Sequence, residues 1–590
     1  MESKLIKSWK FPRSRLQFLL IIVLILGVFF RFVNLDQKVF WRDETLSAAR
    51  IASYPYEEIV KGLYTGREMS VKEVLKYQRV NPNRGLGDTL KILAAEAPNH
   101  PPLYYIMARF WEQWFGASVA VKRTLPALIS LLIFPSLYWL CLELFESSLT
   151  GWIALALVAV SPIHLLYAQE MREYSLWTVS VLLSSASLLY AMRVQTKASW
   201  RLYGLSFAIA LYSHLFSGLV AIVQGIYVII IERMRSSKRL KNYLLAVTAG
   251  LLIFLPWLIV FIANEKLASQ KWGWVIKELP PRNFYQRWVT NLVHGFFDVP
   301  FRYNDPFDLQ FGFGEPTTYL IVPIFLLVGY SIYFLVQKTP SRVWLFVLLL
   351  MASTTLPMVL PDLISGGMRS TIPRYQLPTY LGLQLAVAYL LSTKLSAVTA
   401  SIWQQNLWRL ITVALISSGV ISCVSIVQAD TWWNKYTNYY NSQVARIINQ
   451  SPSPLLLSDS DYDRILSVSH QLDAKVRLQL VASPRLDPAV RRRLIDNPKE
   501  VVEIPKEKLP DISGNFSDVF LLELVPPRSF LLSSLKKHKN YDFELVYQQQ
   551  IRFNNLQTLL WRLAKPSGAK PIDAPVPTRT QQTPLPAQQP

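Results

Sequence analysis

Long apolar blocks separated by short polar segments occupy the chain as far as about residue 430. A helix that spans lipid needs about 20 mostly apolar residues, and only helices or closed barrels can satisfy their backbone hydrogen bonds there. The blocks lie at roughly 16–33, 124–145, 151–168, 174–193, 200–213, 215–232, 243–262, 317–337, 343–361, 376–393 and 407–428. The pattern predicts a mainly α, polytopic bundle of about eleven spans, with 12 or 13 as alternatives.

Two segments leave the span count open. Residues 102–115 are short and amphipathic, and can span the membrane or lie in its interface. Residues 202–231 form one long helix or two short ones that turn at Ser213-His214. Since Lys and Arg prefer the cytoplasmic side, an interfacial 102–115 and a split 202–231 are favoured, with the N-terminus inside. Four segments then share the outer face: 34–122, 167–174, 263–316 and 366–375.

Charge and cysteine content agree with a membrane protein. The chain has 61 Lys and Arg against 39 Asp and Glu, for a net charge of +22. Many of the cations lie between apolar blocks, so membrane topology explains them better than nucleic-acid binding, and no nucleic-acid partner is expected. Cys141 and Cys423 both lie inside apolar blocks, so no disulfide framework is implied. No small-residue cleavage site follows the first block, which predicts a retained first span.

The composition changes at about residue 429, which predicts a second domain. Residues 1–15 are predicted as a cytoplasmic N-terminus, and 16–428 as the membrane domain, with its first outer loop at 34–122. Residues 429–565 alternate short β-type runs with helical ones, which indicates a small soluble α/β domain outside the membrane. Residues 566–590 are rich in Pro and Gln and are predicted to be disordered.

Several polar residues on the predicted outer face are candidates for chemistry. Asp43 and Glu44 can supply a general base, but acids also favour a helix start, which is the better explanation of this pair alone. His100 precedes two prolines and can be an ordinary helix entrance or a metal ligand. Glu170 and Arg172 lie between two spans, where charges are costly.

Outer-face arginines beside apolar walls add a second kind of candidate. Arg123 and Arg374 fit phosphate binding, because a guanidinium can bind phosphate through two N–H groups. Interfacial snorkelling is the ordinary alternative. Each feature has an ordinary explanation alone, yet all of them map to one predicted face of the membrane.

The ordered set of motifs suggests a family. The motifs are WRDETLSA around Asp43, His-Pro-Pro-Leu-Tyr-Tyr at 100–105, Arg-x-Leu-Pro at 123–126, Tyr-x-Gln-Glu-x-Arg-x-Tyr ending the segment 161–174, Tyr-x-His at 212–214 and Arg374-Tyr375. Each is weak alone, but their order is fairly specific. Over about residues 10–430 the chain resembles the GT-C-fold membrane glycosyltransferases of family 39 type, which include protein O-mannosyltransferases and the aminoarabinose transferases acting on lipid A.

The resemblance implies inverting transfer of a sugar from a polyprenyl-phosphate donor to an acceptor. Asp43 is then the general base, with Glu44 beside it in the catalytic pair, and Glu44 and Glu170 orient arginines or sugar hydroxyls. The implied ligands of the donor phosphate are Arg123, Arg172, Arg374 and Tyr375. The implied substrate-orienting residues are His100, Glu170, Tyr174 and His214. The sequence names neither the sugar nor the acceptor, which can be a lipid, a polysaccharide or a protein.

Metal use and location are less determined. Some relatives use a divalent metal near the donor phosphate, and His100 and Glu170 are the residues here that could bind one. No strong ligand cluster is visible in the sequence, so the metal stays unassigned. Compact outer loops suggest a bacterial plasma membrane, with the site facing the periplasm or the cell exterior.

Three other functions compete with the transferase. A transporter or flippase of lipid-linked sugars should show inverted repeats or broken helices at paired midplane positions, and the sequence has no such pairing. An oligosaccharide polymerase or ligase relies on large outer loops late in the chain, whereas the acid motif here lies in the first loop. A non-catalytic scaffold would use the C-terminal domain to bind a partner.

Overall fold

The computed structural model describes most of the chain. The described residues are 15–235, 237–265, 273–276, 278–299, 316–397, 401–484, 490, 502–512, 514–525, 530–551 and 556–564. The predicted outer loop at 263–316 lies outside these residues at 266–272, 277 and 300–315, and the predicted tail at 566–590 lies wholly outside them.

Each predicted apolar block forms a helix or a pair of helices. These helices are Arg15–Phe32, Val119–Leu131, Ile133–Phe145, Ser148–Ala159, Pro162–Ala168, Tyr174–Val194, Lys197–Ser213, Ser217–Ile231, Lys238–Ala263, Pro316–Lys338, Ser341–Ser365, Leu377–Leu395 and Ile402–Gln428. By length and composition, six helices among the described residues are able to cross a membrane, or seven if a pair bent by 62° counts as one. The protein is a multi-pass membrane protein with a predominantly helical fold.

Both uncertain segments are helical, and one of them contains a break. One helix ends at Ser213 and the next begins at Ser217, so 202–231 is the predicted pair of helices. Residues 102–115 form the amphipathic helix Leu103–Phe115. The predicted block at 151–168 is bent where Pro162 opens its second helix, because proline has no N–H to continue the first one.

Further helices lie outside the apolar blocks. They are Arg42–Ile51, Tyr56–Leu63, Val71–Leu75, Leu86–Glu96, Leu103–Phe115, Pro281–His294, Asn441–Asn449, Tyr462–Ser469 and Leu531–Lys539. Short 3-10 turns occupy Lys76–Gln78, Gly273–Ile276, Arg369–Thr371, Pro373–Gln376, Trp433–Asn438 and Lys506–Lys508.

The first helix is fixed against the bent pair, and this contact places the start of the outer loop. A Cβ on Gly27 would lie 2.5 Å from the carbonyl oxygen of Ala159, so only glycine allows this approach. One turn later the Arg31 guanidinium donates to Ala159 O at 2.9 Å and to Val158 O at 3.3 Å. These bonds satisfy carbonyls at the end of the broken helix, which otherwise have no partner in the helix.

One sheet joins the first outer loop to the C-terminal part of the chain. Its strands are β1 (Glu68–Ser70), β2 (Pro454–Ser458), β3 (Arg477–Leu480), β4 (Asp518–Val525), β5 (Phe543–Ile551) and β6 (Leu556–Leu563), in the order β1-β3-β2-β4-β6-β5. β2 pairs in parallel with β3 and β4, and the other pairs are antiparallel.

The sheet also shares a core with the outer loop. Ile59, Leu63 and Val74 from the loop pack with Leu456 and Leu478 from the strands, and all five are buried. The C-terminal sheet is therefore built directly on the loop that carries Asp43.

Candidate active site

The two acids of the WRDET motif begin helix Arg42–Ile51 but have different surroundings. Consecutive residues on a helix point about 100° apart. The Glu44 side chain is fully buried, whereas 19% of the Asp43 side chain is exposed. Only Asp43 is therefore partly open to a substrate.

Glu44 and Arg123 form a buried two-point ion pair. Arg123 Nε donates to Glu44 Oε1 and Arg123 Nη2 donates to Glu44 Oε2, both at 2.7 Å. The remaining guanidinium N–H groups donate to the carbonyl oxygens of Leu35, Lys38 and Val39 at 2.8 to 2.9 Å. With its donors taken in this way, Arg123 is suited to fasten the outer loop to the membrane helices. In our proposal the phosphate role predicted for it passes to the other two arginines.

Asp43 lies among cations contributed by separate segments. Arg374 Nη1 is 3.4 Å from Asp43 Oδ2. Arg172 Nη1 donates to the Asp43 carbonyl oxygen at 3.4 Å and to Ser47 Oγ at 2.8 Å. Burial alone would raise the pKa of Asp43, but the nearby charges of Arg374, Arg172 and Arg42 outweigh it and leave the pKa below its ordinary value. Asp43 is ionised at neutral pH, as a general base must be.

Arg374 is framed by aromatic rings. Its guanidinium carbon lies 5.7 Å from the centre of the Trp41 ring and 5.3 Å from that of Tyr375. Such cation–π contacts help to hold the guanidinium in place. Tyr375 in turn packs edge-on to Phe216 at 5.3 Å.

The segment that carries Arg374 is held by a buried acid. Asp362 Oδ2 accepts from the N–H and the hydroxyl of Ser370, both at 2.7 Å, and Asp362 Oδ1 accepts from Arg369 at 2.8 Å. These bonds connect the outer end of helix Ser341–Ser365 to the turn that precedes Arg374.

His100 and Glu173 form a pair at the edge of the site. His100 Nδ1 is 2.9 Å from Glu173 Oε1, which also accepts from Arg172 Nη2 at 3.2 Å. Burial lowers the pKa of His100 to about 4, although Glu173 opposes this shift. Burial would raise the pKa of Glu173, but Arg172 and His100 lower it well below its ordinary value. His100 is therefore neutral at pH 7.

We expect His100 to make folding sensitive to mild acid. Its folded-state pKa lies below the value of about 6.5 for an exposed histidine. The unfolded chain therefore binds a proton at a higher pH than the folded one, and stability falls as the pH drops from about 6.5 towards 4. His100→Asn should flatten this part of a melting-temperature profile in detergent, relative to wild type. A profile with the same slope in both proteins would contradict the assignment.

Tyr174 and His214, two of the predicted substrate-orienting residues, pack near Arg172 and Tyr375. The Arg172 guanidinium is 5.6 Å from the centre of the Tyr174 ring. His214 stacks on Trp177 with ring centres 4.3 Å apart, and its Nδ1 accepts from the Phe216 N–H at 3.2 Å. Tyr174 thus supports Arg172 directly, whereas His214 contributes to the packing beneath Tyr375.

Glu170 is buried and shares the cation Lys435 with Glu44. Lys435 belongs to a segment that was not identified as part of the site from the sequence. Lys435 Nζ is 3.5 Å from Glu170 Oε2 and 3.0 Å from Glu44 Oε2, and Asn434 Nδ2 donates to Glu170 Oε2 at 2.9 Å. Burial and the charges of Glu44 and Asp43 raise the pKa of Glu170 against the opposing effect of Lys435. The available signal was a lysine in WWNKYTNYY, an aromatic run that follows the last span on the predicted outer face.

Lys38 is a second cation that the sequence analysis did not select. Its Nζ donates to Gln169 Oε1 at 2.9 Å, and only 3% of the residue is exposed. Burial, with the charges of Arg123 and Lys435, lowers its pKa to about 7. Lys38 therefore loses its proton more readily than an exposed lysine, and it contacts the turn that carries Glu170.

A metal ion does not fit the positions suggested for it. Across the described residues, no three His, Cys, Asp or Glu side chains converge in a way that could hold one. His100 bonds to Glu173, while Glu170 bonds to Asn434 and Lys435, so the two suggested ligands have different partners. No step below is assigned to a metal.

Comparisons with known proteins show what this chain is similar to. Residues 99–260 match the family model described as dolichyl-phosphate-mannose-protein mannosyltransferase. No curated protein matches the chain. Among solved structures, ArnT from Cupriavidus metallidurans bound to undecaprenyl phosphate is 12% identical, with a TM-score of 0.50 over 93% of this chain and 99% of that one.

Two further structures are also similar to this chain. ArnT from the same organism in the apo state is 14% identical, with a TM-score of 0.49 over 93% of this chain and 98% of that one. The oligosaccharyltransferase AglB from Archaeoglobus fulgidus, in complex with an inhibitory peptide and a dolichol-phosphate, is 13% identical, with a TM-score of 0.45 over 85% of this chain and 68% of that one.

The structural match and the family match agree with each other. The chain has the fold of the GT-C membrane enzymes, and residues 99–260 match the mannosyltransferase family model. The matched segment, 99–260, holds His100, Arg123, Glu170 and Arg172, and thus a large part of the charged site. This match and this fold favour the transferase over the transporter.

Proposed function

We propose that this protein transfers a sugar, with inversion, from a polyprenyl-phosphate donor to an acceptor on the extracytoplasmic face of the membrane. The observation that carries the proposal is the partly exposed, ionised Asp43 carboxylate facing Arg374 and Arg172. A base beside two guanidinium groups provides both requirements of the reaction, proton removal and stabilisation of a leaving phosphate.

The reaction needs one displacement. Asp43 takes the proton of an acceptor hydroxyl or amine as the acceptor atom bonds to the anomeric carbon. The bond from that carbon to the phosphate oxygen breaks, and polyprenyl phosphate leaves with the electron pair. Because one base and one displacement suffice, inversion is expected, unlike in retaining glycosidases, which need a second carboxylate as nucleophile.

The other predicted residues divide into two groups around this step. Arg374 and Arg172 stabilise the growing phosphate charge, with Tyr375 and Tyr174 packed against them. Glu170 and His100 orient the substrate at the edges of the site. Glu44 positions Arg123 and Lys435 and does not act on the substrate.

The location is inferred from the distribution of charged loops, and the acceptor from the chemistry of the step. We place the protein in the plasma membrane, with the site on the periplasmic or exterior side, because the basic loops then lie in the cytoplasm. The acceptor is a glycan, lipid or protein that offers a hydroxyl or an amine.

The donor-phosphate site is tested by binding. Arg374→Met should weaken the binding of undecaprenyl phosphate to the detergent-purified protein by about 10- to 100-fold, because a hydrogen bond to a charged group contributes about 1.5–3 kcal/mol. Arg374→Lys should fall between this variant and wild type, since it keeps the charge without the two-point geometry.

Arg193→Met is the matched control for this experiment. Arg193 pairs with Glu143 at 2.8 Å through a partly exposed contact at the end of helix Tyr174–Val194, away from Asp43. Its replacement should leave binding unchanged. Equal affinities of Arg374→Met and wild type would refute the assigned role.

A further inference from the structure

The segment that follows the last membrane helix enters the active site. We call residues 432–438 the strap. Lys435 of the strap is 1% exposed, and its Nζ lies 3.0 Å from Glu44 Oε2, 3.5 Å from Glu170 Oε2 and 5.6 Å from the centre of the Trp41 ring. A buried lysine is retained only where anions offset its desolvation, and here two carboxylates do so.

The strap is anchored on both sides of Lys435. On one side Asp298 Oδ2 accepts the indole N–H groups of Trp432 and Trp433 at 2.8 and 2.7 Å. On the other side Asn438 Oδ1 accepts the backbone N–H of Arg42 at 2.8 Å. These hydrogen bonds therefore hold the strap on both sides of Lys435 and fix the position of this lysine in the site.

This arrangement leaves one oxygen of Glu170 for a ligand. Glu170 Oε2 is taken by Lys435 and Asn434, whereas Glu170 Oε1 is buried and has no hydrogen-bond partner among the described residues. Asn434 Oδ1 is also buried without a hydrogen-bond partner among the described residues, and its side chain is the one that donates to Glu170 Oε2. Buried acceptors without donors are costly, so two of them on side chains in contact indicate a ligand that brings donors.

We propose that Lys435 is a positioning residue, and that the strap fixes Glu170 so that its Oε1, with Asn434 Oδ1, accepts hydrogen bonds from hydroxyl groups of the transferred sugar. This inference rests on the proposed function, since it names the part of the donor that the strap recognises. It also makes the segment after the membrane domain part of the active site.

The charge state of Glu170 decides how strongly it accepts a hydrogen bond, because an ionised carboxylate is the stronger acceptor. Glu170 interacts with ionisable groups on its own turn and on three other segments. Its own turn carries Arg172, and the other segments contribute Lys435, Glu44 with Asp43, and Tyr167. Lys435 is the cation that contacts the Glu170 carboxylate directly. Without Lys435, Glu170 would keep its proton to higher pH and would accept hydrogen bonds from the sugar hydroxyls less strongly.

The first test is kinetic. Lys435→Met should lower kcat/KM for a polyprenyl-phosphate sugar by about 100-fold, because the Glu44 and Glu170 carboxylates lose the cation that positions them. Most of this loss should appear as a higher KM for the donor. Lys435→Arg should restore part of the loss.

Asn434→Ala leaves every charge paired, so it should fold and raise the donor KM several-fold. Arg446→Met, which removes an exposed cation from the same part of the chain, is the control. Wild-type donor KM in both Lys435→Met and Asn434→Ala would overturn the proposal.

The second test does not depend on activity. Infrared titration follows the protonated carboxyl band that is lost in Glu170→Gln. In Lys435→Met this band should persist to higher pH than in wild type, and in Lys435→Arg it should not. If wild type transfers no sugar while the band moves as expected, the transfer proposal fails and the position of Lys435 stands. A band that titrates identically in wild type and Lys435→Met would overturn the role of Lys435.

Discussion

Asp43→Asn should lower kcat by about 100- to 10,000-fold, the contribution of a general base in the transition state. Asparagine has nearly the same shape and can still accept from Arg374, but it cannot take a proton. Because Asp43 is partly exposed and lacks the dense buried bonding of Glu44, the variant should fold and insert normally. The measurement is release of polyprenyl phosphate by purified wild type and variant at saturating donor.

The control for this prediction is another acid, which follows the last membrane helix in the sequence. Asp430 pairs with Arg446 at 3.0 Å, and both side chains are well exposed. Asp430→Asn should therefore retain wild-type activity. Asp43→Glu, which keeps the base but moves it by one methylene, should retain more activity than Asp43→Asn. A rate for Asp43→Asn within a few-fold of wild type would remove Asp43 from the mechanism.

Arg123→Met should destabilise the protein by about 3–5 kcal/mol, the usual cost of removing one partner from a buried ion pair. The change leaves the buried Glu44 carboxylate with less compensation and frees the carbonyls of residues 35, 38 and 39. The outer loop would lose its attachment to helix Val119–Leu131. Chemical unfolding in detergent, followed by tryptophan fluorescence, measures the loss.

An exposed arginine provides the comparison. Arg342 pairs with Glu146 at 2.6 Å, but more than half of each side chain is exposed. Exposed pairs contribute about 0–1 kcal/mol, so Arg342→Met should unfold close to wild type. If Arg123→Met were as stable as Arg342→Met and only donor binding were weakened, Arg123 would be a phosphate ligand after all.

Much of the membrane fold could be predicted from the sequence, because its signals are local. Apolar blocks of helical length mark helices, and the polar turn at Ser213-His214 marked the break between two of them. Strand Glu68–Ser70 could not be found in the same way. It has three residues and pairs with β3 from the far end of the chain, so no local pattern identifies it.

The site shows the same division between local and distant signals. The motifs identified Asp43, Arg172 and Arg374, which the fold brings together. The resemblance named Asp43 as the base, but the residues alone give no reason to prefer it to Glu44, since both are acids in one helical turn and tertiary contacts distinguish them. Lys435 was missed because its partners, Glu44 and Glu170, lie far from it in the sequence.

The measurement that tests the central claim most directly is a transfer assay in liposomes. Purified protein is given a panel of polyprenyl-phosphate sugars with acceptors that carry hydroxyl or amino groups, and release of polyprenyl phosphate is followed for wild type and Asp43→Asn. We predict release from at least one donor by wild type, with inversion at the anomeric carbon of the product, and almost none by Asp43→Asn. Movement of intact donors across the bilayer without any release would contradict the account.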